Sequence, residues 1–197
     1  MLKIGITGGI GTGKSTICEI FALLGIPVYN ADKAAKRLMA TNEGLKKQLI
    51  ATFGTAAFTS TGDLDTTYLA NKVFNDEKAL KALNALVHPA VLADFDQWCS
   101  QQQAPYVLKE AALLIESGSY KQCDYTILVE SPLAWRIQRL QNRDNSSEAQ
   151  IRARIANQLP EEEKAKVANY LLLNDEKHLL IPQILALHTQ FLKASSH

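Results

Sequence analysis

Cysteine is scarce in this sequence, and what there is does not pair. Cys18, Cys99 and Cys123 are odd in number, widely spaced and without a CxxC pair. That excludes a disulfide scaffold and offers no zinc site; it fits a reducing compartment, where such thiols read as buried apolar groups. Charge of one sign is equally lacking. Lysine and arginine number 21 against 20 acidic residues, a formal net charge of +1. Such a balance argues against a dedicated binder of nucleic acid or of a membrane surface. No apolar run approaches the roughly 20 residues of a membrane span. Nor do the first residues show an apolar block followed by a small-residue cleavage site. The expectation is a cytoplasmic globular chain acting on small molecules, as a monomer or small homo-oligomer. At 197 residues, 47% of them hydrophobic, it is long enough for one sizeable core with insertions.

What is present in excess is local. The stretch "GITGGIGTGKST", residues 5–16, sets five glycines around one lysine and ends on two hydroxyls. Glycine costs backbone entropy and packs nothing, so such a cluster needs a reason. Its context supplies one. Leu2 to Thr7 reads as a buried strand, and Ile17, Ile20, Phe21 and Leu24 repeat at helical spacing before Gly25. Gly8-x-x-x-x-Gly13-Lys14-Ser15 between a strand and a helix is the phosphate-binding loop pattern. Its backbone N–H groups form an anion-binding concavity, and the helix N-terminus adds partial positive charge. Gly11, Thr12, Gly13, Lys14, Ser15 and Thr16 are the expected ATP-binding residues. Lys14 reaches the β- and γ-phosphates, Ser15 holds Mg²⁺ through its hydroxyl, and Thr16 bonds the α-phosphate.

Further along, "IPVY" reads as a second strand, and residues 31–101 are almost wholly helical in pattern, broken by a turn at "TSTGD". Strand patterns return at "YVLKEAALLI", "YTILVE" and "YLLL", and Leu180, Ile184, Leu187 and Phe191 mark a last helix. Alternating strands and helices predict an α/β fold: a parallel sheet of about five strands, of the P-loop NTPase type, covered by helices. The expected division is a nucleotide-binding core of residues 1–30, 104–138 and 159–197, a helical acceptor-binding region of 31–103, and a lid of 139–158. His88-Pro89 reads as a corner where one helix ends and the next begins.

A phosphate loop alone leaves kinases, GTPases and transport ATPases open. No Asn-Lys-x-Asp guanine reader, Asp-x-x-Gly switch or ABC-type signature is present. Instead, five of the six arginines (Arg136, Arg139, Arg143, Arg152 and Arg154) fall within nineteen residues. Arginine suits bidentate phosphate binding and the charge on a transferring phosphoryl group. Such a segment after a sheet strand reads as the lid of a small-molecule kinase, or as a solvated helix with internal ion pairs. "RDNSSE" offers it a polar hinge, with a helix starting at Asn145 or Ser146. Asp32, just past the second strand, stands where an α/β sheet binds ligands. It can take the proton of an acceptor hydroxyl, hold Mg²⁺ through water, or cap the helix that follows. Two further readings stay open: another small-molecule kinase, such as a nucleoside monophosphate kinase, and a non-catalytic nucleotide-binding protein or regulatory GTPase.

The order of blocks goes further. "GITGGIGTGKST", "PVYNADKAAKRL", "GDLDTTYLANKVF", "LNALVHPAV", "ALLIESG", "RIQRLQNRD", "RIANQLPEEEK" and "YLLLND" together resemble the dephospho-coenzyme A kinase family over nearly the whole chain. Three stretches depart from its pattern. Asn30 stands where the family has the first Asp of Asp-Ala-Asp, Thr66 where it commonly has Arg, and Ala112 to Glu116 keep the Glu of Pro-Leu-Leu-Phe-Glu but neither the Pro nor the Phe. The resemblance implies ATP-dependent phosphorylation of the ribose 3′-hydroxyl of dephospho-coenzyme A, with a nucleotide-binding core, a helical substrate domain and a lid. It implies Asp32 as base, Lys14, Arg139 and Arg143 on the moving phosphoryl group, and His88 and Glu116 at the acceptor.

Overall fold

The computed structural model describes residues 1–74 and 76–196. Strands β1 (Leu2–Gly8), β2 (Val28–Asn30), β3 (Tyr106–Glu110), β4 (Tyr125–Glu130) and β5 (Tyr170–Leu173) form one parallel sheet in the order β2-β3-β1-β4-β5. The helices are α1 (Lys14–Leu23), α2 (Ala31–Thr41), α3 (Glu43–Phe53), α4 (Thr66–Phe74), α5 (Glu77–Ser100), α6 (Leu133–Asp144), α7 (Glu148–Ala156), α8 (Glu161–Ala165) and α9 (Leu180–Ala194). The chain divides into two compact units, one of Met1–Asn30 with Gln102–His197, the other of Ala31–Gln101.

In the first unit, β1 is the central strand, and its residues from Ile4 to Gly8 are all buried. Ile4 and Ile6 pack with Ile17 and Phe21 of α1, Leu108 and Ile127 of the neighbouring strands, and Ile184 and Phe191 of α9. Leu114 and Cys123 approach β1 at Gly5, whose side-chain position points away from those isoleucines. In register, Ile6 lies beside Glu110 on β3 and beside Ile127 on β4. The carboxyl ends of β1 and β3 therefore lie together, and the glycine-rich loop leaves β1 at that edge.

In the second unit, α5 carries a buried stripe of Val87, Val91, Phe95 and Cys99 at four-residue spacing. Leu38 of α2 and Leu45 and Leu49 of α3 are buried too. Arg37 and Asp94 join α2 to α5 in a half-exposed ion pair at 2.6 Å.

Three local readings change. His88-Pro89 is no corner: α5 runs unbroken from Glu77 to Ser100 with Pro89 inside it. A proline inside a helix costs about 3 kcal/mol, while each large apolar side chain buried contributes roughly 1.5–3 kcal/mol, so the stripe wins. The strand expected through Ile115 stops at Glu110. Beyond it the chain coils, with Ser117 N–H donating to Leu113 O and Gly118 N–H to Ile115 O, each at 2.9 Å. This turn buries Leu114 and Ile115, and a short buried apolar run looks the same in a turn as in a strand. Finally, α7 begins after Ser147, whose side chain forms a capping box with Gln150, while Asn145 ends α6 in the left-handed region at φ 51°.

Candidate active site

The loop between β1 and α1 is shaped by contacts it makes with itself. Thr12 Oγ1 donates to Gly9 O at 3.0 Å, closing a tight turn. Gly13 has φ 93° and precedes α1, a left-handed conformation that costs a β-carbon residue stability. It has no side chain with which to cap the helix, and no acidic residue follows in the first turn. The leading N–H groups of α1 therefore face outward as anion donors. Lys14 curls back over the loop, its Nζ donating to Gly8 O at 2.9 Å and Gly9 O at 3.0 Å. Asn174, just beyond β5, donates its Nδ2 to Thr12 O at 2.8 Å.

At the same edge of the sheet, Glu110 closes β3 and is nearly buried. Ser15 Oγ donates to its Oε1 at 3.2 Å, and Asn30 Nδ2 donates to its Oε2 at 2.6 Å. Asn30 and Glu110 are register partners of β2 and β3. An aspartate at position 30 would set two carboxylates against each other at this spot, and asparagine supplies a donor instead.

The arginines of α6 separate by depth. Arg136 is buried; its Nε donates to Ile10 O at 2.9 Å and its Nη1 pairs with Glu161. Burial pulls its pKa below the ordinary arginine value, and the Glu161 carboxylate opposes this. Arg139, one turn on, donates to Ser131 Oγ at 3.1 Å and, over longer distances, to Gly11 O at 3.4 Å and Asn174 Oδ1 at 3.5 Å. Arg143 is exposed and turned to Asp144, at 2.7 and 3.0 Å, and Arg154 of α7 reaches the same carboxylate at 3.1 Å. Hydrogen bonds from Arg143 and then Arg154 hold the Asp144 carboxyl down at about 2.

The sequence profile of the dephospho-CoA kinase family matches residues 2–179. The chain belongs to the dephospho-CoA kinase family. Dephospho-CoA kinase of Bacteroides fragilis is 40% identical over 187 residues, 94% of this chain and 91% of that protein. The solved dephospho-CoA kinase of Campylobacter jejuni is 26% identical with a TM-score of 0.70, covering 98% of both chains. Shikimate kinase of Bacteroides thetaiotaomicron, at 14% identity and a TM-score of 0.55 over 96% of this chain and 97% of its own, shares the fold.

Gly11, Thr12, Gly13, Lys14, Ser15 and Arg139 are brought together around one loop, and Thr16 follows in the first turn of α1. Arg143 is not, being held at Asp144. Glu116 receives the Leu159 N–H at 3.3 Å and lies 2.8 Å from Nζ of the fully buried Lys164. The direction of that approach makes it a contact of charges more than a directed hydrogen bond. Asp32 is the second residue of α2, inside the helix and not its cap, and His88 lies midway along α5; both belong to the helical unit. Sequence reasoning missed Glu110, Asn174 and the separate position of Arg136. The first had a signal, a carboxylate closing the strand "YVLKE" at its carboxyl end.

The same residues bear on Mg²⁺, which this reaction class uses. Mg²⁺ takes oxygen ligands and is commonly held by one or two carboxylates plus substrate phosphates. Ser15 Oγ and the Glu110 carboxylate are such oxygens, adjacent to each other and to the loop, so the residues fit the ion.

Proposed function

We propose that this chain transfers the γ-phosphoryl group of ATP to the ribose 3′-hydroxyl of dephospho-coenzyme A, giving coenzyme A and ADP as the last step of coenzyme A synthesis. Family membership supports the reaction, and one observation carries the site: Lys14 Nζ, the open N-terminus of α1 and Arg139 converge on the Gly8–Gly13 loop. Lys14 now bonds two neutral carbonyls, and a phosphate oxygen is the stronger acceptor. Arg139 adds a second cation to balance charge as the phosphoryl group moves. Ser15 and Glu110 would hold Mg²⁺, which when bound would supply further positive charge there. In the transfer, the 3′-oxygen bonds to the γ-phosphorus while the bond to the β,γ-bridging oxygen breaks. ADP leaves with that electron pair, and Asp32 takes the hydroxyl proton. The helical region 31–103, with His88, and Glu116 of the core shape the acceptor site. The protein then works in the cytoplasm on small molecules, as a monomer or small homo-oligomer.

Residues 139–158 act as the lid. Arg143 and Arg154 share one exposed carboxylate, a pairing worth little in water, which they can leave for an anionic ligand. Backbone hydrogen exchange over 139–158 is expected to slow when ATP and acceptor bind together. Equal protection with and without ligands would make the segment a fixed surface feature.

The deciding test is ADP release from ATP with and without dephospho-coenzyme A. Release is expected to depend on the acceptor, and kcat/KM for dephospho-coenzyme A to exceed that for AMP or adenosine by at least about 10²-fold, roughly 3 kcal/mol. Remote parts of a large acceptor can hold the reacting hydroxyl in place, and a small one lacks them. AMP serving as well would assign a nucleotide kinase instead.

A further inference from the structure

Arg136 is the one member of the α6 arginine series that has left the surface. Its side chain is 6% exposed, whereas that of Arg143, two turns along, is 63% exposed. A guanidinium so placed has little surface with which to meet a nucleotide. What it meets is the loop backbone. Its Nε donates to Ile10 O at 2.9 Å, its Nη1 pairs with Glu161, and its Nη2 lies against Gly9 so closely that a β-carbon there would collide with it. The other half of the Ile10 backbone is held as well: its N–H donates to Gln158 Oε1 at 2.9 Å. Gln158 follows α7 and Glu161 opens α8, so one peptide segment of the phosphate loop is gripped by Arg136 of α6 and by Gln158 from the far side of α7.

We propose that Arg136, braced by Glu161, is a positioning residue that sets the Gly9–Gly11 backbone in its phosphate-binding form. The physical reason is the geometry of a trans peptide, in which C=O and N–H point in opposite directions. Pinning Ile10 O on Arg136 turns the N–H of Gly11 to the other side, free for an anion instead of for the protein. Arginine is needed because one planar fork bonds a carbonyl and a carboxylate at the same time. Gly9 is needed because a β-carbon there would collide with the fork. The grip also links loop and lid, since Arg136 is on the helix that delivers Arg139 and Arg143.

The proposal rests on residues 8–16 binding ATP, and the test separates the two. ATP affinity is measured by calorimetry without acceptor, first on the unaltered chain; absence of binding there refutes the nucleotide site itself. Given binding, Arg136→Met is expected to weaken it about 30-fold, the scale of one charge-assisted hydrogen bond. Glu161→Gln alone strands a buried cation and is expected to lower the melting temperature most. The double variant Arg136→Met/Glu161→Gln removes both partners, so its melting temperature is expected to recover while ATP binding stays about 30-fold weak. Arg136→Lys keeps the ion pair but has no fork, and is expected to melt normally with weakened binding. Recovery of binding along with stability in the double variant, or unweakened binding in the stable Arg136→Lys, would reduce Arg136 to a structural ion pair and overturn the proposal.

Discussion

Lys14→Ala is expected to lower kcat with ATP and dephospho-coenzyme A by about 10³-fold, roughly 4 kcal/mol of transition-state stabilisation. Lys14 is half-buried at the first position of α1, and its Nζ already sits over the carbonyls of Gly8 and Gly9. Phosphoryl transfer leaves the protein little covalent work; its contribution is to position groups and to balance charge on the moving oxygens. Alanine removes a cation fixed in place before the substrate arrives, and no water reproduces that. The fold loses little, because the lysine is outside the apolar core and alanine is the best helix former. The melting temperature is therefore expected to move by only a few degrees, about 1 kcal/mol for a chain of this size. Turnover within tenfold of the unaltered chain would sink the phosphate-loop assignment.

Much of this was readable in the sequence because the informative residues are neighbours in the chain. The run from Leu2 to Leu24 sets strand, loop and helix in immediate succession, and each has its own sign: an apolar strand, glycines where amides must turn, then helical spacing. The five strands show for a similar reason, since a parallel sheet buried on both faces needs short apolar runs. What stayed hidden depends on partners far away in sequence. Glu110 matters because Ser15 and Asn30 donate to it across 95 and 80 residues. Arg136 looked like its neighbours at 139 and 143, and only packing against Gly9 and Ile10 takes it out of that series. Pro89 misled for the opposite reason. Its local rule is strong, yet the buried stripe of α5 outweighs it. Arg152 shows how alternatives divide residue by residue: paired with Glu148 at 2.7 Å one turn away, it has the solvated-helix arrangement that the sequence also allowed.

Asp32→Asn is expected to reduce kcat by about 10³-fold while the KM for dephospho-coenzyme A changes less than threefold. The substitution keeps size, shape and the ability to hydrogen-bond the acceptor hydroxyl, and it removes only the capacity to take a proton and the negative charge. A positioned general base contributes typically 10²–10⁴-fold, so loss of the proton acceptor alone accounts for the fall. Asp32 stands two residues beyond the end of β2, whose Asn30 bonds Glu110 at the carboxyl edge of the sheet, the edge at which such folds hold ligands. Stability is expected to fall by less than about 1 kcal/mol, because Asp32 is in the first turn of α2, where an acid interacts favourably with the helix dipole but does not cap it. The two alternatives leave different marks. A residue that only binds the acceptor would raise KM and spare kcat, and one that only supports α2 would lower the melting temperature and spare both. Either pattern would remove Asp32 as the base and leave the 3′-hydroxyl proton to another group.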